Sequence, residues 1–227
     1  MGPVNIIRYH LHLAATKKPY HHGNLKAALS TAALQLVGET GLEAFTLREV
    51  ARRAGVSHNA PYRHFKKKED VFAALATAGF HQLNDRLSEA LEGDSDPAAK
   101  LRGASRAYLA FAFENPARFA VMFHSNFDRD AYIDYVEAYS EALRLLSHLI
   151  QACGELGAES AETAGDLVWT GVHGIAELGL ARRLREGNLA ELEHLVDAAV
   201  DSLLNGMPKA LEQRSRNTTT TRKAARG

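Results

Sequence analysis

The chain has 227 residues, and its 27 Lys and Arg residues balance 27 Asp and Glu residues, so the formal net charge is zero. No apolar run approaches the roughly 18–20 residues of a membrane-spanning helix, and residues 1–20 lack the sustained apolar core of a signal peptide. The single cysteine, Cys153, excludes an internal disulfide. We therefore expect a cytoplasmic protein of one or two domains with no membrane partner.

The zero net charge hides an uneven distribution along the chain. Residues 1–81 carry 11 basic and 5 acidic residues, residues 82–206 carry 10 and 21, and residues 207–227 carry 6 and 1. A basic block can bind a polyanion, whereas an acidic body would repel one. The distribution predicts an N-terminal part that meets nucleic acid and a body with another task.

The first predicted elements are two helices separated by glycines. Residues 24–38 place Leu and Ala at helical spacing, and the glycines within 38–41 end that helix. Thr46, followed by Glu49 three residues later, has the pattern of a helix N-cap with a capping box. We expect a helix of about two turns after this cap, because Gly55 permits a sharp turn there.

A second short helix is predicted directly after that turn. Ser57 can cap it, and its sequence is HNAPYRHF. Two short helices joined by AGVS, with a third helix before them, predict a helix-turn-helix arrangement. Phe65 is expected to turn into the core, whereas the outward side chains are expected to include His58, Asn59, Tyr62 and His64. Asn can pair with adenine through two hydrogen bonds, and Tyr and His can bind phosphate oxygens.

The remaining elements are also predicted to be helices, and the sequence contains no convincing strand. One long helix extends from Lys67 to about Leu91, and its N-terminal amides favour phosphate. Asp96 before Pro97 opens the next helix as an N-cap followed by proline, and Asn115-Pro116 repeats the device. Three further helices are expected at 129–152, 160–185 and 189–205, the last of them capped by Asn188.

The stretch GLEAFTLREVARRAGVSHNAPYRHFKKKEDVFAAL resembles the N-terminal DNA-binding domain of TetR/AcrR-type transcriptional regulators. The shared frame is G-L-x-x-x-T-x-R-x-V-A-x-x-A-G-V-S, followed by P-Y-x-H-F and K-E. The resemblance implies phosphate contacts at Thr46, Tyr62, His64 and Lys68. It also implies that the groove-facing start of the recognition helix consists of Ser57, His58, Asn59 and Ala60. Arg48 is implied to reach a base or the backbone.

The body is similar to one TetR C-terminal subclass with a W-x-x-x-H-G signature. The similarity rests on LVWTGVHGIAELGLARRL at 167–184 and NPARFAVMF at 115–123. It implies an all-α ligand-sensing domain that dimerises through its last two helices, and it identifies no ligand.

The resulting domain organisation is all-α and has four parts. A flexible arm (1–19) precedes a helix-turn-helix DNA-binding domain (20–66), a helical ligand-binding and dimerisation domain (67–206) and a disordered basic tail (207–227). The apolar stripe of 189–205 is wide enough to pack both inside its own subunit and against a partner, which predicts a homodimer.

Eight side chains of the body combine an apolar lining with a few polar groups, as small-molecule cavities do. They are Tyr108, Met122, Phe123, His124, Phe127, Tyr139, Trp169 and His173. Ordinary helical cores have the same composition. Trp169 and His173 lie four residues apart on one helix face, where they could line a pocket or fill the core.

Catalytic signatures are missing from the sequence. It has no H-E-x-x-H, no Gly-rich phosphate loop after a strand and no nucleophile elbow. We therefore expect no enzyme activity, no cofactor and no metal site. The expected function is a repressor that binds a palindromic double-stranded DNA operator as a homodimer and is released by an unidentified small molecule. The alternative is an adaptor or architectural DNA-binding protein without a ligand, although an acidic body of about 125 residues exceeds what dimerisation needs.

Overall fold

The computed structural model describes residues 25–92, 96–154, 158–185 and 188–224, so the predicted N-terminal arm lies outside the described residues. The helices are α1 (Leu25–Thr40), α2 (Leu47–Arg53), α3 (Lys68–Ala90), α4 (Pro97–Glu114), α5 (Pro116–His124), α6 (Ile133–Cys153), α7 (Ala158–Leu180) and α8 (Leu189–Ala224). Two 3₁₀ turns lie at Pro61–Arg63 and Arg129–Ala131. The described residues contain no β-strand, and the predicted all-α fold is confirmed.

The chain divides into two compact units. The first comprises residues up to Ala76 together with 117–131, and the second comprises 77–116 and 132–227. This division differs from the predicted domains, in which 117–131 belonged to the body. Within the first unit, Gly38 of α1 lies near α5, where an added Cβ would be in ordinary contact with the Ala117 Cβ at 3.5 Å.

The core of the first unit forms around α1. This helix buries five side chains at helical spacing, namely Leu29, Ala32, Ala33, Leu36 and Val37. The ring of Phe45 packs on Phe72 of α3 with centroids 4.6 Å apart. Each large apolar side chain buried in this way contributes roughly 1.5–3 kcal/mol. The helix ends as its glycines predict, with Gly41 at φ 79°.

The turn after α2 is a hydrogen-bonded glycine motif. Gly55 has φ 68°, a value that only glycine adopts at little cost. The Gly55 N–H donates to the Arg52 carbonyl at 3.2 Å, and the Val56 N–H donates to the Ala51 carbonyl at 3.0 Å. These two bonds satisfy the last carbonyls of α2 and fix the direction of the chain as it leaves the helix.

The second short helix of the motif is reduced to turns, and the prediction of a regular helix over HNAPYRHF is wrong. Residues 58–60 form a turn, and Pro61–Arg63 is a single 3₁₀ turn. Pro61 has no N–H to donate to the carbonyl four residues back, and its ring crowds that carbonyl. The backbone bonds are accordingly short-range, for example from Ala60 N–H to the Ser57 carbonyl at 2.9 Å.

The second unit is a helical bundle in which α4 packs against α6, α7 and α8. Arg102 and Arg106 of α4 reach α8 and bind Asp201 at 2.7 Å and Asp197 at 2.8 Å. At Gly179 of α7, an added Cβ would lie 2.8 Å from Leu192 Cδ1 and 3.0 Å from Phe113 Cζ, both of them side-chain atoms of the packed helices. Glycine at this position therefore accommodates the side chains of Phe113 and Leu192.

The predicted caps at Asp96 and Asn188 are present. Asp96 accepts from the N–H groups of Ala98 and Ala99 at the start of α4. The Asn188 side chain accepts from the Glu191 N–H at 3.0 Å, and the Glu191 carboxylate accepts from the Asn188 N–H at 3.4 Å, which completes a capping box. From this start the α8 backbone is helical to Ala224, where composition predicted a disordered tail, because extending a helix requires no new nucleus.

Candidate nucleic-acid interface and cavity

Thr46 stands at the start of α2 with its side chain exposed. Its Oγ1 accepts the Glu49 N–H at 3.2 Å, so the predicted N-cap is present. Leu47, Val50 and Ala51 bury the opposite side of the short helix. The cap uses the oxygen as acceptor and leaves the hydroxyl proton available to a phosphate oxygen.

The recognition segment, residues 57–65, has two groups of exposed side chains and three buried residues. Ala60, Pro61 and Phe65 are buried and anchor it to the first unit. The exposed side chains are those of Ser57, His58, Asn59, Tyr62, Arg63 and His64, with Tyr62 54% exposed. Arg63 was not among the predicted contact residues. Of the predicted contact residues in the segment, Ala60 alone is turned inward. The anchors hold the segment in place without a full helix.

The Asp70 carboxylate of α3 binds the backbone just before the helix. The N–H groups of Lys66 and Lys67 donate to it at 2.7 and 3.2 Å. Because α3 begins at Lys68, these two amides precede it, and the predicted affinity of its N-terminal amides for phosphate stays a prediction. The exposed Lys68 side chain can still reach a phosphate as a flexible cation.

An ion-pair network lies beside the predicted contact residues of α2. The Glu49 carboxylate accepts from Arg52 at 2.6 Å and from Arg53 at 3.2 Å, and Arg53 also binds Glu39 at 2.8 Å. The hydrogen bond from Arg52 is the largest cause that lowers the pKa of Glu49, to about 2. Sequence reasoning missed this network, although the spacing of Glu49 from the two arginines is that of helical ion pairs.

Arg48 differs from its neighbours Arg52 and Arg53. It is exposed, and no ion pair joins it to another residue within the described ranges. With Thr46, Val56 and His58 it lines an open concavity next to the network. The concavity therefore presents a guanidinium available for an anion.

The second unit contains a cavity of about 60 Å³ between α3, α4, α6 and α7. Its wall is mostly aliphatic, with seven leucines from α3, the residue after it and α6 among the lining residues. Three predicted pocket residues line it, namely Tyr108, Tyr139 and Trp169. The fourth, His173, lies directly behind Tyr108, whose hydroxyl is 2.7 Å from the His173 Nδ1.

These side chains form a polar chain of Trp169, Tyr108, His173 and Glu177. The Trp169 indole N–H donates to the Tyr108 hydroxyl, and that hydroxyl also forms a hydrogen bond of 2.7 Å with the His173 Nδ1. The His173 Nε2 lies 3.7 Å from the Glu177 carboxylate. Burial raises the pKa of Tyr108, so its hydroxyl stays protonated.

The other four predicted pocket residues do not line this cavity. Met122, Phe123, His124 and Phe127 belong to the first unit. Met122 and Phe127 are buried there, Phe123 packs on Phe119 with ring centroids 4.8 Å apart, and His124 is exposed. The eight residues grouped from composition thus fall into two sets.

Within the described ranges, no group of three or more His, Cys, Asp or Glu side chains could hold a metal ion. None of the helices in these ranges is both long enough and apolar enough to span a bilayer.

Two family models match the chain. The model described as bacterial regulatory proteins, tetR family, matches residues 29–75, and the model described as tetracyclin repressor-like, C-terminal domain, matches residues 101–203. Together they cover more than half of the chain.

Solved structures with the same fold are known. A protein of unknown function from Rhodococcus sp. RHA1 is 31% identical with a TM-score of 0.70, covering 84% of this chain and 98% of its own. The transcriptional regulator FadR from Bacillus subtilis, solved in complex with stearoyl-CoA, has a TM-score of 0.66 at 16% identity, covering 80% of this chain and 98% of its own.

Among curated relatives, the nucleoid occlusion factor SlmA of Aliivibrio fischeri (strain MJ11) is 29% identical over 110 residues, which are 48% of this chain and 55% of that protein. The chain thus spans about half the length of the curated relatives it matches.

Proposed function

The chain belongs to the tetR family of bacterial regulatory proteins, and on that basis we propose that it is a homodimeric, cytoplasmic repressor that binds a palindromic operator and is released by a small molecule. One observation carries the proposal. Side chains able to bind DNA are exposed on both arms of the helix-turn-helix frame, at the start of α2 and along the recognition segment.

The exposed side chains divide into two chemical roles. Hydroxyl, imidazole and ammonium groups suit phosphate oxygens, and they are those of Thr46, Tyr62, His64 and Lys68. Asn59 can pair with an adenine edge through two hydrogen bonds, and Ser57 and His58 flank it in the groove. Arg48 reaches a phosphate or a guanine. Phosphate contacts set affinity and Asn59 sets sequence preference.

Dimerisation is supported by an apolar surface on α7. Leu167 and Leu178 are 45% and 43% exposed, which is unusual for leucine on a well-packed helix. Gly171 and Gly174 lie between them on the same side, and no heavy atom would lie within 4 Å of a Cβ at Gly174. A partner helix can approach closely there. A dimer also presents two recognition segments, so half-sites are expected about one helical turn apart or somewhat more.

Release by a small molecule is supported by the cavity of the second unit. We assign the chain to the subclass with the W-x-x-x-H-G signature, whose Trp and His are Trp169 and His173 beside the cavity. The B. subtilis FadR structure contains stearoyl-CoA, so the fold accommodates an effector in that protein. An effector acts if it binds the DNA-incompetent arrangement more tightly than the competent one.

A second candidate function is a DNA-binding factor without a small-molecule effector. The name of the SlmA relatives, nucleoid occlusion factor, favours this alternative. Thermal unfolding of the purified protein across a metabolite collection separates the two, because only a ligand-binding regulator is stabilised by a member of the collection.

Selection of bound duplexes from a random pool tests the repressor proposal. The expected product is a palindromic or near-palindromic operator. Lys68→Ala should then weaken binding to all sequences and lower the salt slope by about one. Asn59→Ala should instead change which operators are preferred, because roughly 1–3 kcal/mol of discrimination between bases is lost.

The control variant is Arg183→Ala, which removes one exposed positive charge from the second unit. It should leave operator affinity and the salt slope close to those of the unaltered protein. Enrichment of a single asymmetric half-site, or no duplex binding at low salt, would contradict the proposal.

A further inference from the structure

The wall of the cavity is suited to an extended apolar group. Leu83 and Leu87 of α3 and Leu91 directly after it line the cavity together with leucines of α6. Val168 and Val172 of α7 also line it. Leucine side chains are flexible and can change rotamer to follow the shape of a hydrocarbon chain. No Lys, Arg, Asp or Glu lines the cavity among the described residues.

Ser105 adds a hydroxyl to this mostly apolar wall. It lies on α4 one turn before Tyr108, lines the cavity and is only 6% exposed. No hydrogen bond joins its hydroxyl to another residue of the described ranges, whereas Ser202 of α8 donates to the carbonyl four residues back. A buried hydroxyl without a protein partner is available to a ligand.

The neighbouring polar groups are already occupied by one another. The Tyr108 hydroxyl is hydrogen-bonded to Trp169 and to His173. His173 does not line the cavity, and its Nδ1 and Nε2 face Tyr108 and Glu177. On α4, the nearby guanidinium groups of Arg102 and Arg106 bind the α8 carboxylates.

An anionic ligand would thus lose its hydration without gaining a cationic partner, and burying such a charge is costly. We propose that this cavity takes an uncharged, mainly apolar small molecule with a single hydroxyl or carbonyl group, which hydrogen-bonds to Ser105 and lies beside the Tyr108 oxygen. Only the statement that this molecule is the effector rests on the proposed function.

The size of the cavity determines how such a molecule enters. Its volume of about 60 Å³ is far below the roughly 300–1,000 Å³ of pockets for drug-sized ligands. The ligand therefore binds a more open packing of the second unit, in which the lining leucines have changed rotamer. Binding favours that packing over the closed one, which is the differential affinity that an effector needs.

Four compounds with ten carbon atoms each test the ligand class. They are 1-decanol, 2-decanone, decanoate and decylammonium, all used at pH 7.5. Binding is measured by thermal unfolding and by the emission of Trp169, which is the single tryptophan of the chain. The alcohol and the ketone should stabilise the protein and change the emission. The two ions should require at least about tenfold higher concentrations.

Ser105→Ala should weaken decanol binding about three- to tenfold, the loss expected for one hydrogen bond. Ser202→Ala is the matched control, since that exposed hydroxyl donates to the Ala198 carbonyl at 2.7 Å, and it should change nothing. Equal or tighter binding of decanoate, no binding of either uncharged compound, or an unchanged affinity in Ser105→Ala would overturn the proposal. Operator binding, measured on the same preparations, reports separately on the repressor function.

Discussion

Thr46 has two separable roles, as the cap of α2 and as a phosphate ligand. Thr46→Ala removes the oxygen that accepts the Glu49 N–H at 3.2 Å. The loss of such a cap lowers the free energy of unfolding by about 0.5–2 kcal/mol. In a chain of this size, each kcal/mol lost lowers Tm by roughly 2–4 °C. Thr46→Asp keeps an acceptor at the cap and places a negative charge at a helix N-terminus, which is worth about 0.3–1 kcal/mol.

The same substitutions rank DNA affinity differently. A carboxylate at position 46 repels a phosphate, so Thr46→Asp should bind the operator more weakly than Thr46→Ala while unfolding at a higher temperature. Thr46→Ser should resemble the unaltered protein in both measurements. The assays are thermal unfolding and fluorescence anisotropy with a labelled operator. Operator affinity of Thr46→Asp equal to that of the unaltered protein would refute the phosphate role and leave only the cap.

Three further predictions address stability and assembly. The pKa of Glu49 is lowered from its ordinary value of 4.5 to about 2, so its contribution to stability is present above pH 4.5 and is lost as the pH falls towards 2. Glu49→Gln should therefore flatten the dependence of stability on pH over that window, as measured by urea unfolding. Gly179→Val should lower the free energy of unfolding by about 1–3 kcal/mol through overpacking, whereas Gly206→Ala, in open space on α8, should raise it by about 0.4–1 kcal/mol. Leu167→Glu combined with Leu178→Glu should yield a monomer in light scattering with its helical circular dichroism retained; a persistent dimer would place the interface elsewhere.

The helix boundaries set by local chemistry could be predicted from the sequence. Thr46, Asp96 and Asn188 cap α2, α4 and α8 as expected, since a side-chain acceptor and the N–H groups it serves lie within three residues of one another. Gly41 and Gly55 end α1 and α2 for an equally local reason, their positive φ angles. None of these features depends on which helices pack together.

Features that depend on competing local preferences or on tertiary packing were harder to predict from the sequence. Pro61 lacks the N–H that a helical hydrogen bond needs, and the prediction of a short helix over HNAPYRHF took no account of it. The first unit brings α5 together with α1, from which it is distant in the sequence. The bond between Tyr108 and His173 joins residues 65 positions apart, and no periodicity within either helix indicates it.

The spacing of Trp169 and His173 left open whether these residues line a pocket or fill the core. The two interpretations are not exclusive. Both belong to a hydrogen-bonded chain that stabilises the second unit, and Trp169 also lines the cavity. Trp169→Phe would remove the N–H that Tyr108 accepts, so stability and effector response would change together whichever role dominated. Ser105 avoids this ambiguity because its hydroxyl has no hydrogen-bond partner among the described residues. A residue absent from the composition-based set is therefore the better reporter of ligand binding, since its substitution removes a contact that only a ligand makes.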